Sequence, residues 1–73
     1  MNIEKAIRDY LATHGITQAF IAQKCGWTKQ RLNAILIGRQ KINAYDLGAI
    51  CDAVGVPYDY FYNAAERAAQ DSA

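Results

Sequence analysis

The chain has 73 residues, of which 52% are apolar, and a formal net charge of +1. That is room for one small domain with a modest core, and too apolar a mixture for a disordered tail. No apolar run approaches the roughly 18 residues that span a bilayer, and no basic region precedes an apolar block at the N-terminus, so no membrane contact and a cytoplasmic location are expected.

The first apolar stripe is Ile3, Ala6, Ile7, Tyr10 and Leu11, at spacings of three and four, which predicts a helix over residues 2–14. His14 suits its C-terminal end, where partial positive charge meets the helix dipole. Gly15 ends it. Thr17 is an N-cap for a second helix over 18–25, with Ile21, Ala22 and Cys25 inward, and Gly26 ends that one. Thr28 caps a third helix over 29–37, with Leu32, Ile35 and Leu36 inward, and Gly38 closes it. After a polar loop, Asn43 followed by Asp46 resembles a capping box with a shortened acid. It opens a fourth helix over 44–54, carrying Leu47, Ile50, Cys51 and Val54 on one face. Gly48 inside that helix is unfavourable by about 1 kcal/mol against Ala, which points to a close approach by a neighbouring helix. Gly55 ends it. Pro57 is acceptable in a first helical turn and opens a fifth helix over 57–62. The Ala-rich segment 63–73 either extends that helix or frays. The reading is thus an all-α fold of five helices, with residues 1–62 as the domain and 63–73 as its extension.

Cys25 and Cys51 fall on apolar faces and read as buried, reduced thiols. The single histidine, His14, is not at ligand spacing from either, so neither metal nor cofactor is expected. There is no phosphate-cradling glycine loop and no nucleophile–base pair, so the chain does not read as an enzyme. The charges are segregated. Between residues 10 and 45 stand Lys24, Lys29, Arg31, Arg39 and Lys41 with no acid at all, whereas Asp46, Asp52, Asp59, Glu66 and Asp71 follow against Arg67 alone. An acid-free stretch suits a surface that faces phosphates.

The second and third helices are the informative pair. A steep crossing needs a small residue where the axes approach, which Ala22 supplies. The turn needs a residue comfortable at positive φ, which Gly26 supplies. Ile21, Cys25, Trp27, Leu32 and Ile35 can then lock the angle, so that the third helix projects as a probe. That helix presents Lys29, Gln30, Arg31 and Asn33. Lys or Arg pairs with guanine O6 and N7, and Gln or Asn with adenine N6 and N7.

The run Gly15-Ile16-Thr17-Gln18-Ala19-Phe20-Ile21-Ala22 resembles the Gly-x-Thr-Gln-x-x-Leu-Ala opening of the lambda repressor-like (Cro/C1, or XRE) helix-turn-helix family. The likeness continues through Cys25-Gly26-Trp27-Thr28, Leu32, Ile35 and Gly38-Arg39-Gln40-Lys41 to Leu47, Ile50, Ala53-Val54-Gly55-Val56 and Asp59-Tyr60-Phe61, over residues 3–62. The resemblance implies a sequence-specific regulator of double-stranded DNA, with its third helix in the major groove and no small-molecule effector evident. Carried over by position, Gln18 meets a phosphate or base at the groove edge. Lys29 and Gln30 face base edges, with Arg31, Asn33 and Ala34 following. Thr17, Thr28, Arg39 and Lys41 meet phosphates. Phe61 matches a core position of the family.

The chain departs from the pattern at several places. Leu36 and Ile37 stand where the family often has Glu-Asn, Phe20 where it often has an acid, Ile42 where it often has Pro, and Ala34 where a long polar residue is usual. The extra apolar groups are expected to fill the core; the alternative is that Phe20 or Ile37 is exposed and touches a partner or a thymine methyl. Tyr58, Tyr60 and Tyr62 cannot all be inside, and tyrosine suits interfaces. They are the candidate contacts of a homodimer that sets two recognition helices one DNA turn apart. Two rival readings share the fold. One is the antitoxin of a toxin–antitoxin pair, for which the tail after Asn63 is short; the other is a protein-interaction adaptor that uses Phe20 and the tyrosines.

Overall fold

In a computed structural model, which describes residues 2–71, five helices follow one another: α1 (Ile3–Thr13), α2 (Gln18–Cys25), α3 (Lys29–Leu36), α4 (Ala44–Val54) and α5 (Tyr60–Asp71). No strand is present among the described residues. The capping residues set the boundaries. The side-chain oxygens of Asn2, Thr17, Thr28 and Asn43 each accept from the backbone N–H three residues on, satisfying one orphan donor of a first turn. His14 and Ile37 are C-caps rather than helical residues. At the end of α2, Gly26 takes φ +73°, a left-handed conformation that a Cβ disfavours.

One core joins all five helices: Ile7 and Leu11 of α1, Ile21 and Ala22 of α2, Leu32 and Leu36 of α3, Leu47, Ile50 and Cys51 of α4, and Phe61 of α5. Principal packing pairs are α1 with α5 and with α3, and α2 with α3 and with α4. Ile3, Ala6, Tyr10, Cys25 and Val54 pack at the core's edge, half-buried. The Arg8 guanidinium donates to the Leu36 carbonyl, tying α1 to the C-terminal end of α3. None of the described helices is long and apolar enough to cross a membrane.

Three expectations need correction. Pro57 does not open the last helix. Tyr58 is pulled back along α4, its hydroxyl donating to the Ala44 carbonyl (3.3 Å) and its own carbonyl accepting from Cys51 Sγ (3.5 Å). Residues 57–59 therefore form a turn and α5 starts at Tyr60; of the two readings of the Ala-rich segment, extension of the helix is the one observed, as far as Asp71. Gly48 does not admit a neighbouring helix; what approaches is the Tyr58 ring, whose carbons would lie 3.5 and 3.6 Å from a Cβ there, an ordinary contact. Of the extra apolar side chains, Leu36 is core, but Phe20 is 46% and Ile37 is 52% exposed. In α2 the inner face belongs to Ile21 and Ala22, which turns Phe20 outward, where its ring meets the Lys24 ammonium one turn on (5.5 Å to the centroid). Ile37 follows the last buried residue of α3 and lies past the helix end.

Candidate nucleic-acid interface

The site is built on the α2–α3 turn. After Gly26, the Trp27 N–H bonds to the Ala22 carbonyl (2.8 Å), which folds the chain back under α2. The half-buried indole then packs at the core's edge. Thr28 follows in extended conformation and caps α3, with Arg31 N donating to its Oγ1 at 3.1 Å. Two turns of rigid helix thus stand on a fixed base, held below by Leu32, Ile35 and Leu36, all fully buried.

Lys29, Gln30 and Asn33 are exposed on the outer face of α3. Ala34 follows, half-buried; its methyl has no hydrogen-bonding capacity. Thr17 is exposed and Gln18 half-buried at the start of α2. Both capping threonines already use an oxygen lone pair on a backbone N–H, and each hydroxyl keeps its proton to donate outward. Arg39 and Lys41 are exposed just after α3. Arg39 N bonds to the Ala34 carbonyl at 2.9 Å, which keeps that loop against the end of α3.

Arg31 stands apart from its neighbours. Its Nη2 lies 3.0 Å from Asp46 Oδ1, and its guanidinium carbon lies 4.3 Å from the centre of the Trp27 ring. Asp46 is 4% exposed. The acid-free stretch of sequence is therefore not acid-free in space, because α4 brings this carboxylate back to α3. The capping box is likewise only half formed. Asn43 Oδ1 accepts from Asp46 N at 2.8 Å, while the Asp46 carboxylate turns to Arg31 instead of returning to the cap. Sequence spacing held a signal for the placement of Arg31 away from Asn33, though not for its partner. At about 100° per residue, Arg31 falls about 160° around the axis from Asn33.

Two further features escaped the sequence reading. Tyr45, in the first turn of α4, is 90% exposed. Arg8 is the other; its acceptor is a main-chain oxygen of a different helix. Of the candidate dimer residues, Tyr58 covers Gly48, Tyr60 sets its ring edge-on to Tyr10 (5.5 Å) and Phe61 (5.2 Å), and all three tyrosines keep exposed surface. Tyr60 also borders an open groove of about 500 Å³ between α1 and α5, lined by Ala6, Tyr10 and Ala64 among others. No residue of α2 or α3 lines it.

Both thiols are pushed above their ordinary range by burial, Cys51 further raised by the nearby Asp52 and Asp59 carboxylates. Beside Cys25, Arg31 acts in the opposite direction. Both are free thiols, and no group of three or more His, Cys, Asp or Glu residues among the described residues could hold a metal ion.

A capped two-helix unit with a glycine turn, buried on one side and polar on the other, defines a helix-turn-helix DNA-binding domain. A helix-turn-helix family profile matches residues 7–61. The chain belongs to the Cro/C1-type helix-turn-helix (XRE) family of DNA-binding transcriptional regulators. No curated protein and no solved structure matches it.

Proposed function

We propose that this protein is a sequence-specific repressor that lays α3 in the major groove of double-stranded DNA. The observation that carries this is the bare polar face of α3: Lys29, Gln30 and Asn33 are uncovered by any other element, on a helix whose opposite face is locked into the core. Lys29 reads guanine, and Gln30 and Asn33 read adenine, from the base edges in the groove. Gln18 reaches the groove edge. Thr17, Thr28, Arg39 and Lys41 hold the phosphates on either side, where hydroxyl donors and cations fix register without reading sequence.

A single α3 covers only a few base pairs. A two-fold homodimer places a second copy about one helical turn away. Tyr58, Tyr60 and Tyr62, with the open groove beside Tyr60, supply the surface for it. Sedimentation with and without operator DNA checks this part; a monomer throughout rejects it.

The test of function is selection of bound duplexes from a random pool, followed by footprinting. The expected outcome is one enriched motif with protected phosphates flanking it. The exposure of Phe20 and Ile37 favours a second reading, an adaptor that binds protein through these side chains. That reading prevails if no duplex is retained even at low salt and a Phe20→Ser variant loses a partner that the parent holds.

A further inference from the structure

We propose that Arg31, although it stands in the recognition helix, is a positioning residue that Asp46 withholds from DNA. This rests on the major-groove reading of α3. Three observations carry it. The guanidinium is fixed on two sides, by Asp46 Oδ1 at 3.0 Å and by the Trp27 ring at 4.3 Å. Its partner is a buried carboxylate on another helix, and Asp46 Oδ2 makes no hydrogen bond among the described residues. That carboxylate therefore depends on Arg31 for its charge compensation. Finally, the principal neighbours of α3 are α1 and α2, whereas α4 packs on α2. The ion pair is a polar tie between α3 and α4 directly.

The consequence is a division of labour along one helix. Lys29, Gln30 and Asn33 project outward and read. Arg31 points to the flank, fixes the roll of α3 about its axis, and lends the DNA face no net charge because Asp46 cancels it. Side chains that read bases must be held to within a fraction of an ångström, and a half-buried guanidinium one or two residues away from them, anchored on a buried carboxylate, does that.

The test uses the full chain with Asp46→Asn, Arg31→Met, Asp46→Leu and the Arg31→Met/Asp46→Leu pair. Asn is close in size to Asp but removes the negative charge, which loosens the hold on the guanidinium and frees it to reach a phosphate. In Asp46→Asn the slope of log affinity against log salt is expected to steepen by about 0.9 per monomer, one newly uncompensated cation. A purely structural role leaves that slope alone. Each of the other single variants is expected to lose about 10 °C in melting temperature, and the pair to recover most of it. Random-pool selection with the pair is expected to return the parent's motif. Loss of preference at one base position alone, with the others intact, overturns the proposal, because Arg31 then reads that base. An unchanged slope in Asp46→Asn also overturns it. If the parent binds no duplex, the DNA reading falls separately, and the melting cycle decides the strut: additive losses reject it, recovery in the pair supports it.

Discussion

The Arg8 guanidinium of α1 donates to the carbonyl oxygen of Leu36, the last residue of α3. The final carbonyls of a helix have no partner within it and carry its partial negative charge, so a cation there satisfies an acceptor and complements the dipole together. The contact fixes the far end of α3 while Thr28 fixes its start. Replacing Arg8 by Ala is expected to destabilise the domain by about 2 kcal/mol, the range of a charged hydrogen bond that leaves a partly buried acceptor behind. Urea denaturation checks this. A loss under about 0.5 kcal/mol, as for a surface residue without such a role, rejects the account.

Two glycines, Gly26 capping the end of α2 and Gly48 inside the neighbouring α4, are expected to respond in opposite directions to the same substitution. Gly26 sits at φ +73° with open space around its Cβ position, so the obstacle to a side chain is the backbone alone. Gly26→Ala is expected to destabilise by about 1–2 kcal/mol. Gly48 has ordinary helical dihedrals, and a methyl there meets the Tyr58 ring at 3.5 Å, without a clash. Gly48→Ala is expected to stabilise by about 1 kcal/mol through helix propensity. Thermal melting of the two variants gives the signs directly, and a destabilised Gly48→Ala would mean that the Tyr58 turn cannot yield even slightly.

Much of the fold was legible because its boundaries are written in local chemistry. Thr17, Thr28 and Asn43 each precede an apolar-periodic run, and each proved to be an N-cap. Such signals need only three or four consecutive residues. The start of α5 was misplaced for the opposite reason. Pro57 carries a sound local signal for a first turn, but the tertiary bonds of Tyr58 to Ala44 and Cys51 override it. The site divides the same way. That Lys29, Gln30 and Asn33 face outward follows from helical periodicity against Leu32, Ile35 and Leu36. Neither the Arg31–Asp46 pair nor the Arg8–Leu36 bond follows, since each requires knowing which helix lies beside which. Phe20 and Ile37 were expected inside on hydrophobicity alone, and helical phase put them outside.

The buried Cys51 thiol gives the domain an alkaline weakness. Burial raises the Cys51 thiol above its ordinary value of 9.0, with Asp52 and Asp59 adding to the effect, so the folded chain holds this proton more tightly than the unfolded one. The sign follows from linkage: where the folded state binds more protons, stability falls as pH rises. The contribution is fully present below pH 9.0 and is lost as pH climbs from there through the raised folded value. Denaturation midpoints are expected to be insensitive to Cys51 titration between pH 6 and 8, since about these values lie below both thiol ranges, and to decline above. Cys51→Ala lowers the whole curve by opening a small cavity, but its alkaline decline is expected to be shallower than the parent's. Parallel curves would show that other groups cause the decline.

The proposed base-reading and phosphate-holding sets are separable by experiment. Lys29, Gln30 and Asn33 are expected to be specificity residues. Each change to Ala should reduce discrimination against the wrong base at one operator position by about 1–3 kcal/mol, while affinity for random duplex barely moves apart from the lost charge of Lys29. Arg39 and Lys41, exposed beyond the end of α3, are expected to act by charge alone. Each change to Ala should weaken binding to every sequence alike and reduce the slope of log affinity against log salt by about 1. Thr28→Ala combines two effects, because its hydroxyl caps α3. It should cost about 1 kcal/mol in stability and weaken binding at all sequences without a change in slope. Competition titrations at three salt concentrations, with operator and scrambled duplex, separate these signatures. The assignment fails if Gln30→Ala and Arg39→Ala give the same pattern, since a residue in the first turn of α3 and one in the loop beyond its end would then be doing one job.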